Sequence, residues 1–72
     1  MKKQDFVVCI DNVKYPASLE RWKLYRVIPD EKAAKLGMAR IVDESGEDYL
    51  YPKSLFTRIA VPKSVREQLL AA

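Results

Sequence analysis

The stretch Asp43-Glu44-Ser45-Gly46-Glu47-Asp48 most constrains this chain, because it sets a turn between two strand-like runs, Met38 to Val42 and Tyr49 to Tyr51. Antiparallel partners sum to a constant, so the turn type decides which residues face each other. With Ser45-Gly46 as a two-residue turn, Ile41 lies opposite Leu50, Val42 opposite Tyr49 and Arg40 opposite Tyr51. Ala39, Ile41 and Leu50 then form one apolar stripe for a core, and Arg40, Tyr49 and Tyr51 share the other face. A three-residue turn with Gly46 in the left-handed position would slip the pairing by one. It would set Val42 against Asp48 and Arg40 against Leu50, mixing apolar with charged, so the first register is preferred. In it Arg40 lies over Tyr51, a cation-π contact of roughly 0.5 to 1 kcal/mol at an exposed site.

The remaining chain supplies short elements around this hairpin. Phe6 to Ile10 is a nearly continuous apolar run, which predicts a strand buried on both sides or central in a small barrel. Asp11-Asn12 ends it with turn chemistry. Val13 to Arg21, interrupted by Pro16, reads as a long loop anchored by Leu19. Trp22 to Ile28 is β-favouring and roughly alternating, hence the second strand, stopped by Pro29. Asp30 caps a short helical link over residues 30–36 that Gly37 closes. Beyond the hairpin, Pro52 ends the fourth strand and Lys53 to Phe56 makes one 3₁₀ turn. Thr57 to Val61 is the fifth strand. Ser64 and Glu67 have capping-box spacing, predicting a helix from Val65 to Ala71 whose Val65 and Leu69 either dock on the barrel or fray.

Seventy-two residues allow one domain and one core, near the size at which a fold without disulfide or metal is sustainable. Cys9 is the only cysteine and histidine is absent, so an internal disulfide and the usual zinc ligand sets are excluded. Cys9 itself reads as a small buried apolar residue. No apolar run approaches the roughly 20 residues that span a bilayer, and the polar start Met1 to Asp5 precedes too short an apolar run for a signal peptide. A cytoplasmic location is expected.

Charge is distributed unevenly, although the net is only +3. Residues 13–28 carry Lys14, Arg21, Lys23 and Arg26 against Glu20, residues 43–48 carry four carboxylates, and Lys53, Arg58, Lys63 and Arg66 follow unopposed. The expectation is a dipolar molecule with a solvated acidic hairpin tip. That tip lacks the ligand spacing of a calcium loop, so no metal or other cofactor is assigned.

Five short strands with a long first loop, a helical link and a tight hairpin follow the order of an SH3-like barrel. Leu24-Tyr25-Arg26-Val27-Ile28, Asp43-Glu44-Ser45-Gly46, and Tyr51-Pro52 with Phe56 four residues after the proline resemble small bacterial SH3-like proteins. The chain is also similar, over nearly its whole length, to short bacterial proteins with comparable segments from Tyr25 to Asp30 and from Asp43 to Pro52. The resemblance implies a single SH3-like domain over residues 1–72 and no particular activity. It does not carry the proline-peptide site of eukaryotic SH3 domains, because Gly37-Met38-Ala39 stands where a tryptophan pair would be.

Two surfaces are candidates for function. Arg40, Tyr49 and Tyr51, with Trp22 and Tyr25, have the composition of a protein or peptide interface. Lys53, Arg58, Lys63 and Arg66, with Lys23 and Arg26, form the alternative, a nucleic-acid-binding face. Catalysis has no support, since none of the serines has a histidine to activate it and no phosphate loop is present. The sequence thus predicts a non-enzymatic, mainly β interaction module, monomeric or weakly dimeric.

Overall fold

Apolar alternation and turn chemistry place five strands and two helices in the computed structural model, which describes residues 5–71. The polar arm at residues 1–4 lies outside the described residues. The strands are β1 (Asp5–Cys9), β2 (Leu24–Ile28), β3 (Met38–Val42), β4 (Asp48–Pro52) and β5 (Phe56–Arg58). Helix α1 (Glu31–Lys35) links β2 to β3, a 3₁₀ turn (Lys53–Leu55) links β4 to β5, and α2 (Lys63–Ala71) follows.

All pairings are antiparallel and the strand order is β4-β3-β2-β1-β5. The mainly β class expected of the sequence holds, but the ladders give one open sheet with β4 and β5 at its edges, not a closed barrel. Two local features limit further pairing. Pro52 ends β4 without an N–H to donate, and β5 spans three residues where five were predicted.

One face of the sheet carries the core. Val7 and Cys9 from β1, Tyr25 from β2, Ile41 from β3, Tyr51 from β4 and Phe56 from β5 pack with Leu19 of the first loop. Leu19 and Ile41 are fully enclosed, each contributing about 1.5 to 3 kcal/mol by burial. Leu19 is thus the loop anchor that the sequence predicted. Phe6 is buried on the opposite face, as the unbroken apolar run of central strand β1 requires. Cys9 is enclosed as well, and burial, its largest influence, pushes its thiol pKa up.

The hairpin adopts the register that the sequence reading set aside. Ala39 pairs with Tyr51, Arg40 with Leu50, Ile41 with Tyr49 and Val42 with Asp48. Gly46 sits at φ +82° and donates its N–H to the Asp43 carbonyl at 3.0 Å, while the Asp43 N–H reaches the Glu47 carbonyl at 3.1 Å. The Asp43 carboxylate completes the turn, accepting at Oδ1 from the Ser45 N–H at 2.9 Å and from Ser45 Oγ at 2.6 Å. A one-residue slip exchanges the faces, so Tyr51 points inward and Leu50 outward. This solution buries an aromatic ring, and the charged residue beside Leu50 is not stranded. Arg40 donates from Nε to Asp30 and from Nη1 to Asp48, both at 2.9 Å.

Helix α1 follows its sequence signals. Asp30 caps it through a 3.0 Å bond from the Ala33 N–H, and Gly37 turns out of it at φ +72°. Two other boundaries differ. Strand β2 starts at Leu24, because Trp22 takes φ +70° in a turn, and α2 starts at Lys63, which puts Ser64 inside the first turn and not at its cap. Val65 and Leu69 remain half-exposed, so α2 stands with little burial against the sheet.

Candidate functional site

Tyr51 gives the hairpin end its geometry. Its ring meets Tyr15 edge-on, centroids 5.0 Å apart at 87°, and Phe56 at 6.2 Å and 74°. Tyr15 belongs to the β1–β2 loop, where its carbonyl accepts from the N–H groups of Ser18 and Leu19, the latter at 3.0 Å. Burying Leu19 therefore draws Tyr15 against the hairpin. The Tyr51 hydroxyl donates to Asp43 Oδ2 at 2.5 Å.

A shallow groove of about 460 Å³ lies beside this cluster, lined by Tyr15, Tyr49, Leu50 and Tyr51, with polar groups from Ser18, Asp43 and Ser45. Tyr49 is 49% exposed and Leu50 42% exposed, both on edge strand β4. The Tyr49 hydroxyl lies 3.3 Å from Glu47 Oε2, whose charge is the main cause of the raised Tyr49 pKa. Tyr49 and Leu50 point to opposite faces of this edge strand, so a peptide added along the edge would meet one apolar side chain on each side.

The five residues expected at an aromatic interface are not brought together. Tyr49 and Tyr51 share the groove, but Tyr51 shows only a buried ring. Arg40 is held by Asp30 and Asp48 and does not lie over Tyr51. Tyr25 is also buried, donating to Glu44 Oε2 at 2.5 Å and accepting from the Glu20 N–H at 2.7 Å. Trp22 is 66% exposed in a turn of its own, with the Arg21 guanidinium 4.8 Å from its ring centroid and its N–H on the Cys9 carbonyl. Tyr15 was missed by the sequence reading. The available signal was an aromatic next to Pro16, in a loop already tied to the core by Leu19.

The acidic tip is also not a bare solvated cluster. Asp43 is bound by Ser45 and Tyr51, Glu44 by Tyr25 and by Lys23 Nζ at 2.6 Å, and Asp48 by Arg40. Among the described residues no cluster of acidic or thiol side chains is placed to hold a metal ion. The basic residues separate too. Lys53 and Arg58 line a second cavity, while Lys63 and Arg66 lie on α2 and do not. The Nε atoms of Arg26 and Arg66 are buried without a hydrogen-bond partner. Among the described residues no helix is long and apolar enough to cross a membrane.

No family model, curated protein or solved structure matches this chain.

Proposed function

We propose that this chain is a non-enzymatic, SH3-like interaction module that binds a protein or peptide along β4, through Tyr49 and Leu50 beside Tyr15. The observation that carries the reading is an edge strand that keeps one apolar side chain half-exposed on each face, Tyr49 on the side of the ordered aromatic groove and Leu50 on the other. An extended peptide added to such an edge gains main-chain hydrogen bonds, and its alternate side chains meet the groove. The strand order, in which the last strand returns to lie beside the first, supports the SH3-like assignment. A bacterial cytoplasmic setting and a monomer or weak dimer belong to the same proposal.

The alternative partner is a nucleic acid on Lys53, Arg58, Lys63 and Arg66. It has less support, because these residues fall into two groups, Lys53 and Arg58 at one cavity and Lys63 and Arg66 on α2. Affinity capture with the native chain and with Tyr49→Ala, each with and without nuclease, tests both readings. Protein captured by the native chain, lost with Tyr49→Ala and insensitive to nuclease is the expected result. Capture that survives Tyr49→Ala but vanishes with nuclease would move the assignment to nucleic acid.

A further inference from the structure

Strand β4 has a neighbouring strand, β3, on one side only, and its backbone groups divide between the two sides. The bonds that flank the β3–β4 ladder, from the Asp43 N–H to the Glu47 carbonyl and from the Lys53 N–H to the Gly37 carbonyl, continue its register at odd-numbered residues. Hydrogen-bonded pairs recur at every second residue of an antiparallel ladder, so Tyr49 and Tyr51 turn their N–H and C=O groups toward β3. Asp48, Leu50 and Pro52 turn theirs to the open side, where the proline supplies a carbonyl alone. An edge in this state is a template for another strand.

The side chains along that edge are self-complementary. Glu47 and Asp48 stand at one end, Tyr49, Leu50 and Tyr51 in the middle, and Pro52 and Lys53 at the other end. Laid antiparallel on a second copy with Leu50 opposite Leu50, the strand meets itself with Asp48 opposite Pro52, Tyr49 opposite Tyr51 and Glu47 opposite Lys53. Each unlike pair then occurs twice, as a two-fold axis requires. The outward backbone groups match as well, with two bonds between the Leu50 residues and one from each Asp48 N–H to the Pro52 carbonyl of the other copy. Moving the axis to Tyr49 sets Leu50 against Asp48 and Glu47 against Tyr51. Moving it to Tyr51 brings Pro52 opposite Leu50 and forfeits half of the backbone bonds.

We propose, resting on the assignment of β4 as the binding edge, that its partner is a second copy of this chain, paired through β4 about a two-fold axis at Leu50. The two Leu50 side chains cover each other on the outer face, and Tyr49 of each copy comes to the groove of the other, where Tyr15 is half-buried. Both residues are half-exposed in the single chain, so pairing withdraws from water the apolar side chains that β4 leaves outside. Glu47 and Lys53 are exposed, and their pairing sets the register more than it adds affinity.

Sedimentation velocity of the whole chain over a concentration series reads the assembly, with amide spectra verifying that each variant is folded. The expected result is a reversible equilibrium between monomer and dimer with no larger species, since a two-fold contact closes on itself. Glu47→Lys and Lys53→Glu each set like charges opposite one another at both ends, and each should weaken the dimer about tenfold at low salt. Mixed one to one, the two variants put lysine opposite glutamate at both ends again and should associate as tightly as the parent. Leu50→Lys should leave a folded monomer. A dimer indifferent to both charge reversals, a mixture no tighter than its components, or a parent chain still monomeric at about 1 mM would overturn the proposal. A monomer that captured protein through Tyr49 would overturn self-pairing alone and leave β4 as the binding edge for a different peptide, whereas a monomer without such capture would remove both readings.

Discussion

Tyr51 and Asp43 are joined across the base of the hairpin turn by a 2.5 Å hydrogen bond in which the phenol donates to Oδ2. Asp43 is 7% exposed, and the other oxygen of its carboxylate is taken by Ser45. Tyr51→Phe keeps the ring packing and removes the donor, leaving a buried carboxylate oxygen short of a partner. Stability should fall by about 1 to 3 kcal/mol, read as a lower urea midpoint at unchanged slope. A midpoint equal to that of the parent would mean that water satisfies Asp43 instead.

The same contacts set the response to acid. Burial raises the Asp43 pKa, but hydrogen bonds from Ser45 and Tyr51 outweigh it and the net shift is downward. Lys23, then Tyr25, lower Glu44, and the Ala33 N–H, then Arg40, lower Asp30. A folded pKa below the unfolded one gives stability that is complete above the unfolded value, about 4, and lost as pH falls through the folded value. The urea midpoint should therefore hold from pH 7 to about 5 and drop below about pH 4. With Asp43→Asn or Glu44→Gln that drop should be shallower.

At high pH the two buried phenols act in the opposite sense. Burial first, and then the neighbouring carboxylate, raise both Tyr25 and Tyr51 above the ordinary tyrosine value. Their contribution is complete below the unfolded pKa, about 10, and is lost as pH rises through the folded values. Spectrophotometric titration at 295 nm should show these tyrosines ionising only together with unfolding. Reversible ionisation of all four tyrosines near pH 10 in a folded chain would contradict this placement.

Gly46 carries the register. A Cβ there would meet nothing within 4 Å, so the cost of Gly46→Ala comes from φ +82° alone, about 1 kcal/mol. Gly46→Asn should cost less, since asparagine tolerates the left-handed region. Thermal melts of the two variants decide this. Equal losses would point to a steric cause.

What the sequence made legible was local. The strand predicted over Phe6 to Ile10 appears one residue earlier, as Asp5–Cys9, and the cap at Asp30 and the stop at Gly37 appear as expected, each resting on neighbouring residues. The hairpin register was not local in this way. Leu50 and Tyr51 both satisfy an apolar interior position, and the choice depends on a hydroxyl finding Asp43 eight residues earlier and on a ring finding Tyr15 in a distant loop. Trp22 was placed in a strand by its β propensity, which says nothing of a left-handed turn. The interface candidates inherited the register, so Arg40 and Tyr51 moved to opposite faces with it.

Tyr49 and Tyr51 share the inner face of β4, but only Tyr51 is covered by Tyr15 and Phe56, which separates two tyrosines that look equivalent in sequence. Tyr51→Ala removes a core ring and should destabilise by about 3 to 5 kcal/mol, enough to unfold a domain of this size. Tyr49→Ala should change stability by less than about 1 kcal/mol while removing partner capture. Urea titration beside the capture assay tests the pair, and a folded Tyr51→Ala chain would mean that the ring is not part of the core.

Helix α2 should be the least stable element. Its nine residues are short for a helix that must hold itself, and Val65, Leu69 and Leu70 stay 39 to 44% exposed. Leu69 does border Leu24, Arg26 and Val42 on the outer face of the sheet, so the helix touches the domain without being enclosed by it. Val65→Ala with Leu69→Ala should then cost less than about 1 kcal/mol, against about 2 to 5 kcal/mol for Ile41→Ala in the core. Native-state amide exchange gives the independent measure. Amides of α2 should exchange through local opening, whereas those of Tyr25 and Ile41 should exchange only with global unfolding. If α2 proved as protected as Ile41, its apolar residues would have to be covered in solution by a second molecule, and protection that fell on dilution would identify that molecule as another copy of the chain.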